Sequence, residues 1–103
     1  MLSLEAAKEI AVRRLAEIGR ASGEDLVLRA NYVETDIAWA FFYDTRAYLE
    51  RAEEGAHLYG NGPLIVRKSD GTLHEAGTAL GVECYLSNLA KYGSVFPPEG
   101  HLA

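Results

Sequence analysis

Cysteine is nearly absent from this chain of 103 residues: Cys84 stands alone. No internal disulfide can form, which suits a reducing cytoplasm. Histidine is scarce too. His57, His74 and His101 fall in a loop, a strand and the tail, with no pair at ligand spacing on a helix and no Cys-x-x-Cys. Neither a zinc site nor any other metal or cofactor is expected. No apolar run reaches the ~20 residues of a membrane span. Glu5, Lys8 and Glu9 interrupt the start, where a signal peptide would carry a basic segment and then an apolar one. Positive charge is in deficit, ten Lys and Arg against fifteen Asp and Glu, for a net charge of −5. A general nucleic-acid binder needs a basic footprint and is therefore not expected. An acidic balance suits a basic protein partner, and it serves solubility equally well. There is no Gly-x-Ser-x-Gly elbow.

What is present is core material. Hydrophobic residues make up 49% of the chain, and a domain of this length buries roughly two thirds of its unfolded surface. One domain over residues 1–103 is expected, with its core at about 4–92 and a loosely held tail at 94–103. In Ile37-Ala38-Trp39-Ala40-Phe41-Phe42-Tyr43 the residues Ile37, Trp39, Phe41 and Tyr43 share one strand face. Ala38, Ala40 and Phe42 share the other. Both faces are apolar, the pattern of a central strand covered on both sides. Trp39 belongs to the core on this reading, rather than to an exposed interface.

Around this strand the elements can be placed in order. Ser3 caps a first helix, in which Leu4, Ala7, Ala11, Leu15 and Ile18 keep a helical period, with Ile10 and Val12 at the stripe's edges and Gly19 and Gly23 at the exit. Leu26 opens a strand that runs to Tyr32 or Val33. A hairpin then leads to the Trp39 strand, though no Asn-Gly pair sets its register. Asp44 or Thr45 caps a short helix that Gly55 ends. A loop over 57–62 precedes a strand from Leu64 to Arg67 or Lys68. Asp70-Gly71 marks the second hairpin, and Thr72 to Ala76 returns. Thr78 caps a last helix in which Val82, Tyr85, Leu86 and Leu89 share a face; Gly81 weakens its first turn, and Gly93 ends it. The order α-β-β-α-β-β-α predicts an α+β domain with a mostly antiparallel four-stranded sheet and helices packed on it.

Several of these pieces together resemble the immunity protein 35 family, also called YrhB-like. The resemblance lies in Trp39-Ala40-Phe41-Phe42-Tyr43, Tyr48-Leu49, the Gly60-Asn61-Gly62-Pro63 turn, Leu64-Ile65-Val66, Asp70-Gly71 and Gly77-Thr78. Arg67-Lys68 departs from it, with two basic residues in place of an acidic-then-basic step. The resemblance implies a cytoplasmic, non-enzymatic bacterial protein of a polymorphic toxin system. Such a protein binds a cognate toxin and neutralises it by stoichiometric occlusion. A small chaperone-like or general interaction module is the alternative.

The acidic run Glu50, Glu53 and Glu54 is the electrostatic candidate for toxin binding, and Tyr59 and Asn61 are loop candidates. The same side chains also read as a solvated face and an ordinary turn. The Gly60–Pro63 loop lacks the Gly-Lys-Ser/Thr ending of a phosphate loop and leads into a strand, so no anion site is expected there. Cys84 with His74 would be a thiol nucleophile and base, but a buried structural cysteine is the expected role.

Overall fold

The computed structural model describes residues 1–58 and 61–97. In chain order it contains α1 (Leu4–Ser22), β1 (Leu26–Glu34), β2 (Ala38–Thr45), α2 (Arg46–Arg51), a 3-10 turn (Glu54–Ala56), β3 (Leu64–Arg67), β4 (Leu73–Glu75) and α3 (Val82–Tyr92). The class is α+β, and the strands form one sheet ordered β1-β2-β3-β4 with every neighbouring pair antiparallel.

β2 is central, as its two apolar faces require. One face sends Trp39 and Phe41 against α1, where Ala7, Ala11 and Leu15 are buried with Leu64 and Val66. The small alanines bring the helix close to the sheet. The other face sends Ala38 and Ala40, with Ile65, against Tyr85, Leu86 and Leu89 of α3. Ser3 caps α1 by accepting from the Ala6 amide, and Gly23 closes it through Gly19.

The β1–β2 turn uses threonine where an Asn-Gly pair is missing. Thr35 N–H donates to the Ala38 carbonyl, and Thr35 Oγ1 accepts from the Ile37 and Ala38 amides. This side-chain turn sets the register that no dipeptide announced. β1 is longer than expected, ending at Glu34, and carries a bulge: Leu28 pairs with Tyr43 but Tyr32 with Phe41. The departure at Arg67-Lys68 has a structural use. Lys68 Nζ donates to Glu34 at 2.6 Å and sits 4.8 Å above the Trp39 ring, bridging β3 to β1 across the buried indole.

The Asp70-Gly71 hairpin forms as expected, with Gly71 at φ 70° and Asp70 Oδ1 accepting from the Thr72 amide and hydroxyl. Gly62 is fixed by space: a Cβ there would lie 1.9 Å from the Ala76 carbonyl oxygen. Ala76 N–H donates to the Pro63 carbonyl at the same point, so this glycine lets β3 and β4 close.

Four expectations are corrected. α2 is capped by Thr45, one of the two caps expected, but it ends at Arg51 with Ala52 left-handed at φ 53°, three residues before Gly55. The α2 stretch is too short to reach Gly55 because Ala52 and Glu53 amides already close it on Tyr48 and Ala47. α3 starts at Val82 with Gly81 at its N-cap and no side-chain cap, so Thr78 does not serve. Cys84 is exposed, since the buried stripe passes through Tyr85, Leu86 and Leu89 and leaves it on the far side. Finally, the chain just past Gly93 is held: Val95 is buried, Asn88 donates to its carbonyl, and Phe96 meets Tyr85 edge-on at 5.9 Å. Residues 98–103 lie outside the described residues.

Candidate functional site

The C-terminal end of β2 gathers a dense polar cluster around one carboxylate. An aspartate at the end of a strand would ordinarily reach water, but Asp44 is 1% exposed. Its carboxylate is completely surrounded by donors. The amides of Thr45 and Leu58 donate at 2.7 and 2.9 Å, Arg29 Nη2 from β1 lies at 3.2 Å, and His57 Nδ1 lies at 2.5 Å. Burial by itself pushes the Asp44 carboxyl up. The Leu58 and Thr45 amides and the His57 ring together outweigh it and hold the group below its ordinary value. The ionised form therefore belongs to the fold.

The shell around Asp44 is ordered as well. The Tyr48 ring from α2 stacks on His57 with centroids 4.1 Å apart, and Arg29 lies 5.9 Å from the same tyrosine. Thr45 Oγ1 accepts from the Tyr48 amide and donates to the Ala56 carbonyl. A small polar hollow of about 170 Å³ opens here beside Arg29, Asp44, His57 and Asn61. β1, β2, α2 and the His57-Leu58 segment are thus tied to one buried carboxylate. A carboxylate on imidazole Nδ1 can orient the ring for proton transfer. Here it also does a plainer task, since it anchors a loop.

The residues expected to meet a partner are distributed around this end. Glu50 pairs with Arg46 at 2.7 Å and Glu53 with Arg51 at 3.1 Å, both in exposed positions. Glu54 is exposed at the start of the 3-10 turn. Asn61 faces inward: its Nδ2 donates to the Tyr43 carbonyl and pins the loop to β2. Tyr59 lies outside the described residues. The three glutamates and Asn61 are therefore neighbours of the Asp44 cluster along the chain, with Asn61 in a holding role. His74 and Cys84 are not paired among the described residues, since His74 Nε2 meets Thr72 Oγ1 at 3.0 Å and Cys84 is exposed on α3.

Sequence reasoning missed the Asp44–His57–Arg29 cluster. Its one signal was an aspartate inside an otherwise apolar strand pattern, which reads equally well as a helix cap. Among the described residues no group of three or more His, Cys, Asp or Glu could hold a metal. No helix among them is long and apolar enough to cross a membrane.

The comparisons with known proteins agree with the fold. The chain is similar to the uncharacterized protein YrhB of Escherichia coli (strain K12), 42% identical over 50 residues, which cover 48% of this chain and 53% of that protein. The match thus spans about half the length of that relative. No solved structure matches. The pattern that describes immunity protein 35 matches residues 5–92, from the first turn of α1 to the last residue of α3, and the chain belongs to that family.

Proposed function

We propose that this protein is a non-enzymatic immunity protein that binds a cognate bacterial toxin domain and neutralises it by stoichiometric occlusion. The family match over residues 5–92 is the observation that carries this reading. Two features support it. The net charge of −5 favours encounter with a basic partner. The ion pairs of Glu50 and Glu53 lie on the surface, where such pairs contribute little and can be exchanged for contacts to another protein. Glu50, Glu53, Glu54 and Tyr59 are then groups that meet the toxin, and Asn61 holds their loop. The Asp44 cluster keeps that end of the sheet in one shape before binding, which lowers the ordering cost of association. The site of action is the cytoplasm of the producing cell.

Co-expression with a candidate toxin gene from the same locus tests the reading. Survival of the host and a one-to-one complex on purification are expected. Full lethality of the toxin despite abundant folded protein rules the assignment out. Protection of several unrelated proteins from heat aggregation, with no single partner, would instead favour a chaperone-like module.

A further inference from the structure

The two sheet faces are covered unequally. α1 spans β1, β2 and β3. α3 has 11 residues and rests on Ala38, Ala40 and Ile65, over β2 and β3. One flank of α3 is occupied by the chain's own return, through Val95 and Phe96. The other flank, toward β1, is open among the described residues, with Val33 packed at the edge of the α3 cluster. A groove of about 420 Å³ runs there between α3 and the β1–β2 turn. Val33, Ile37, Leu86 and Ala90 line it, and Asp36 and Glu83 are its charged lining residues.

We propose that this groove is the anchor site for the toxin, and that it takes an amphipathic segment whose apolar side chains are flanked by lysine or arginine. The proposal rests on the immunity reading above and names the face that reading leaves open. Three observations carry it. The lining is predominantly apolar, as the seat of an apolar ridge requires. The charged residues lining the groove are both acidic, and among the described residues neither Asp36 nor Glu83 is in an ion pair. The groove also continues past Asp36 into a second hollow of about 270 Å³. Arg67 and Lys68 line that extension; Lys68 is paired with Glu34 at 2.6 Å, and Arg67 lies 3.9 Å from Asp70.

Charge selects the occupant. A second copy of this chain, docked groove to groove, would bring the Asp36 and Glu83 carboxylates of both copies into one interface, with no cation among the groove's lining residues to pair them. A basic amphipathic segment places its cations on those carboxylates and its apolar ridge beside α3. It completes the helical layer over β1, a helix-in-groove mode of recognition. Affinity then comes from the groove, while the acidic run near α2 acts on the rate of encounter.

The test uses the full chain and the candidate toxin domain from the same locus, refolded after release from the complex. Binding is followed by interferometry and survival by co-expression. Ala90→Trp fills the groove from an exposed rim position, and the pair Asp36→Lys with Glu83→Lys reverses its charge. Each is expected to weaken binding by about tenfold or more, chiefly through faster dissociation, with circular dichroism unchanged; because Glu83→Lys also removes an anion from the first turn of α3, binding is compared at a temperature where both proteins are fully folded. Glu50→Lys with Glu53→Lys is expected to slow association and leave dissociation alone. Wild-type binding that both groove variants retain at full strength overturns the inference and leaves the immunity reading standing. Absence of wild-type binding overturns both. A dimer of the free protein that Ala90→Trp breaks also overturns it, by assigning the groove to a second copy.

Discussion

His57 Nδ1 lies 2.5 Å from Asp44 Oδ2, joining residues thirteen apart along the chain. This contact converts the loop after α2 from a connection into part of the sheet's end wall. It works because the same carboxylate also accepts from the Leu58 amide, so side chain and backbone of the loop are held at one point. Arg29 closes the third side from β1.

Removal of the Asp44 charge tests this arrangement. Asp44→Ala removes the acceptor that the Thr45 and Leu58 amides, His57 and Arg29 share. A loss of about 2–4 kcal/mol is expected in urea unfolding, with early hydrogen exchange at the Leu58 amide. The pH dependence has a definite sign. The folded group has the lower pKa, so the unfolded chain binds more protons between that value and the ordinary carboxylate value of about 3.9. The contribution of Asp44 is complete above about pH 4 and falls away as acid titrates the folded carboxylate. Asp44→Asn should flatten that part of the stability curve.

Gly62→Ala puts a methyl group 1.9 Å from the Ala76 oxygen, a backbone atom that cannot step aside. The β3 and β4 segments must separate to admit it. A loss of at least about 2 kcal/mol is expected, with exchange of the Ala76 amide rising more than that of β1 amides. Equal protection of both strands would show that the contact relaxes freely.

Ala52 holds a left-handed conformation without being glycine, at the C-cap of α2. Ala52→Gly relieves that strain and loosens the unfolded chain at the same time. The net expectation is a gain of about 0.5–1 kcal/mol, read as a raised urea midpoint at unchanged slope.

His74 gives a separate pH signal. Burial lowers its pKa first, the Arg67 charge lowers it further, and Asp70 opposes both. A proton NMR titration should find its midpoint below about 6.5. Because the folded pKa is the lower one, His74 contributes stability that is present above that ordinary value and is lost as pH falls through the folded midpoint. Asp70→Asn removes the opposing charge and should move the midpoint lower still.

Much of the fold was legible from local pattern. The alternation from Ile37 to Tyr43 identified the central strand and assigned Trp39 to the core, because side chains on a strand alternate whatever lies above them. Ser3, Gly23, Gly71 and Gly93 marked their turns through local backbone rules. The faults arose where a local rule had competitors. Gly55 and Thr78 are good caps by type, but Ala52 and Gly81 stop and start the helices first. Cys84 was placed in the core by residue type, although its angular position against Tyr85 and Leu86 puts it outside.

The amino-acid order by itself determined the elements, their succession and the two apolar faces of β2, since these follow from period and turn chemistry within a few residues. Only the tertiary structure decided that Asp44 is buried among Arg29, His57 and Leu58, that Lys68 lies over Trp39, and that α3 rests over β2 and β3 with a groove beside the β1–β2 turn. Those facts depend on contacts between segments far apart in the chain. Such contacts have no period to read, and a charged side chain looks the same in sequence whether it meets water or a partner from another strand.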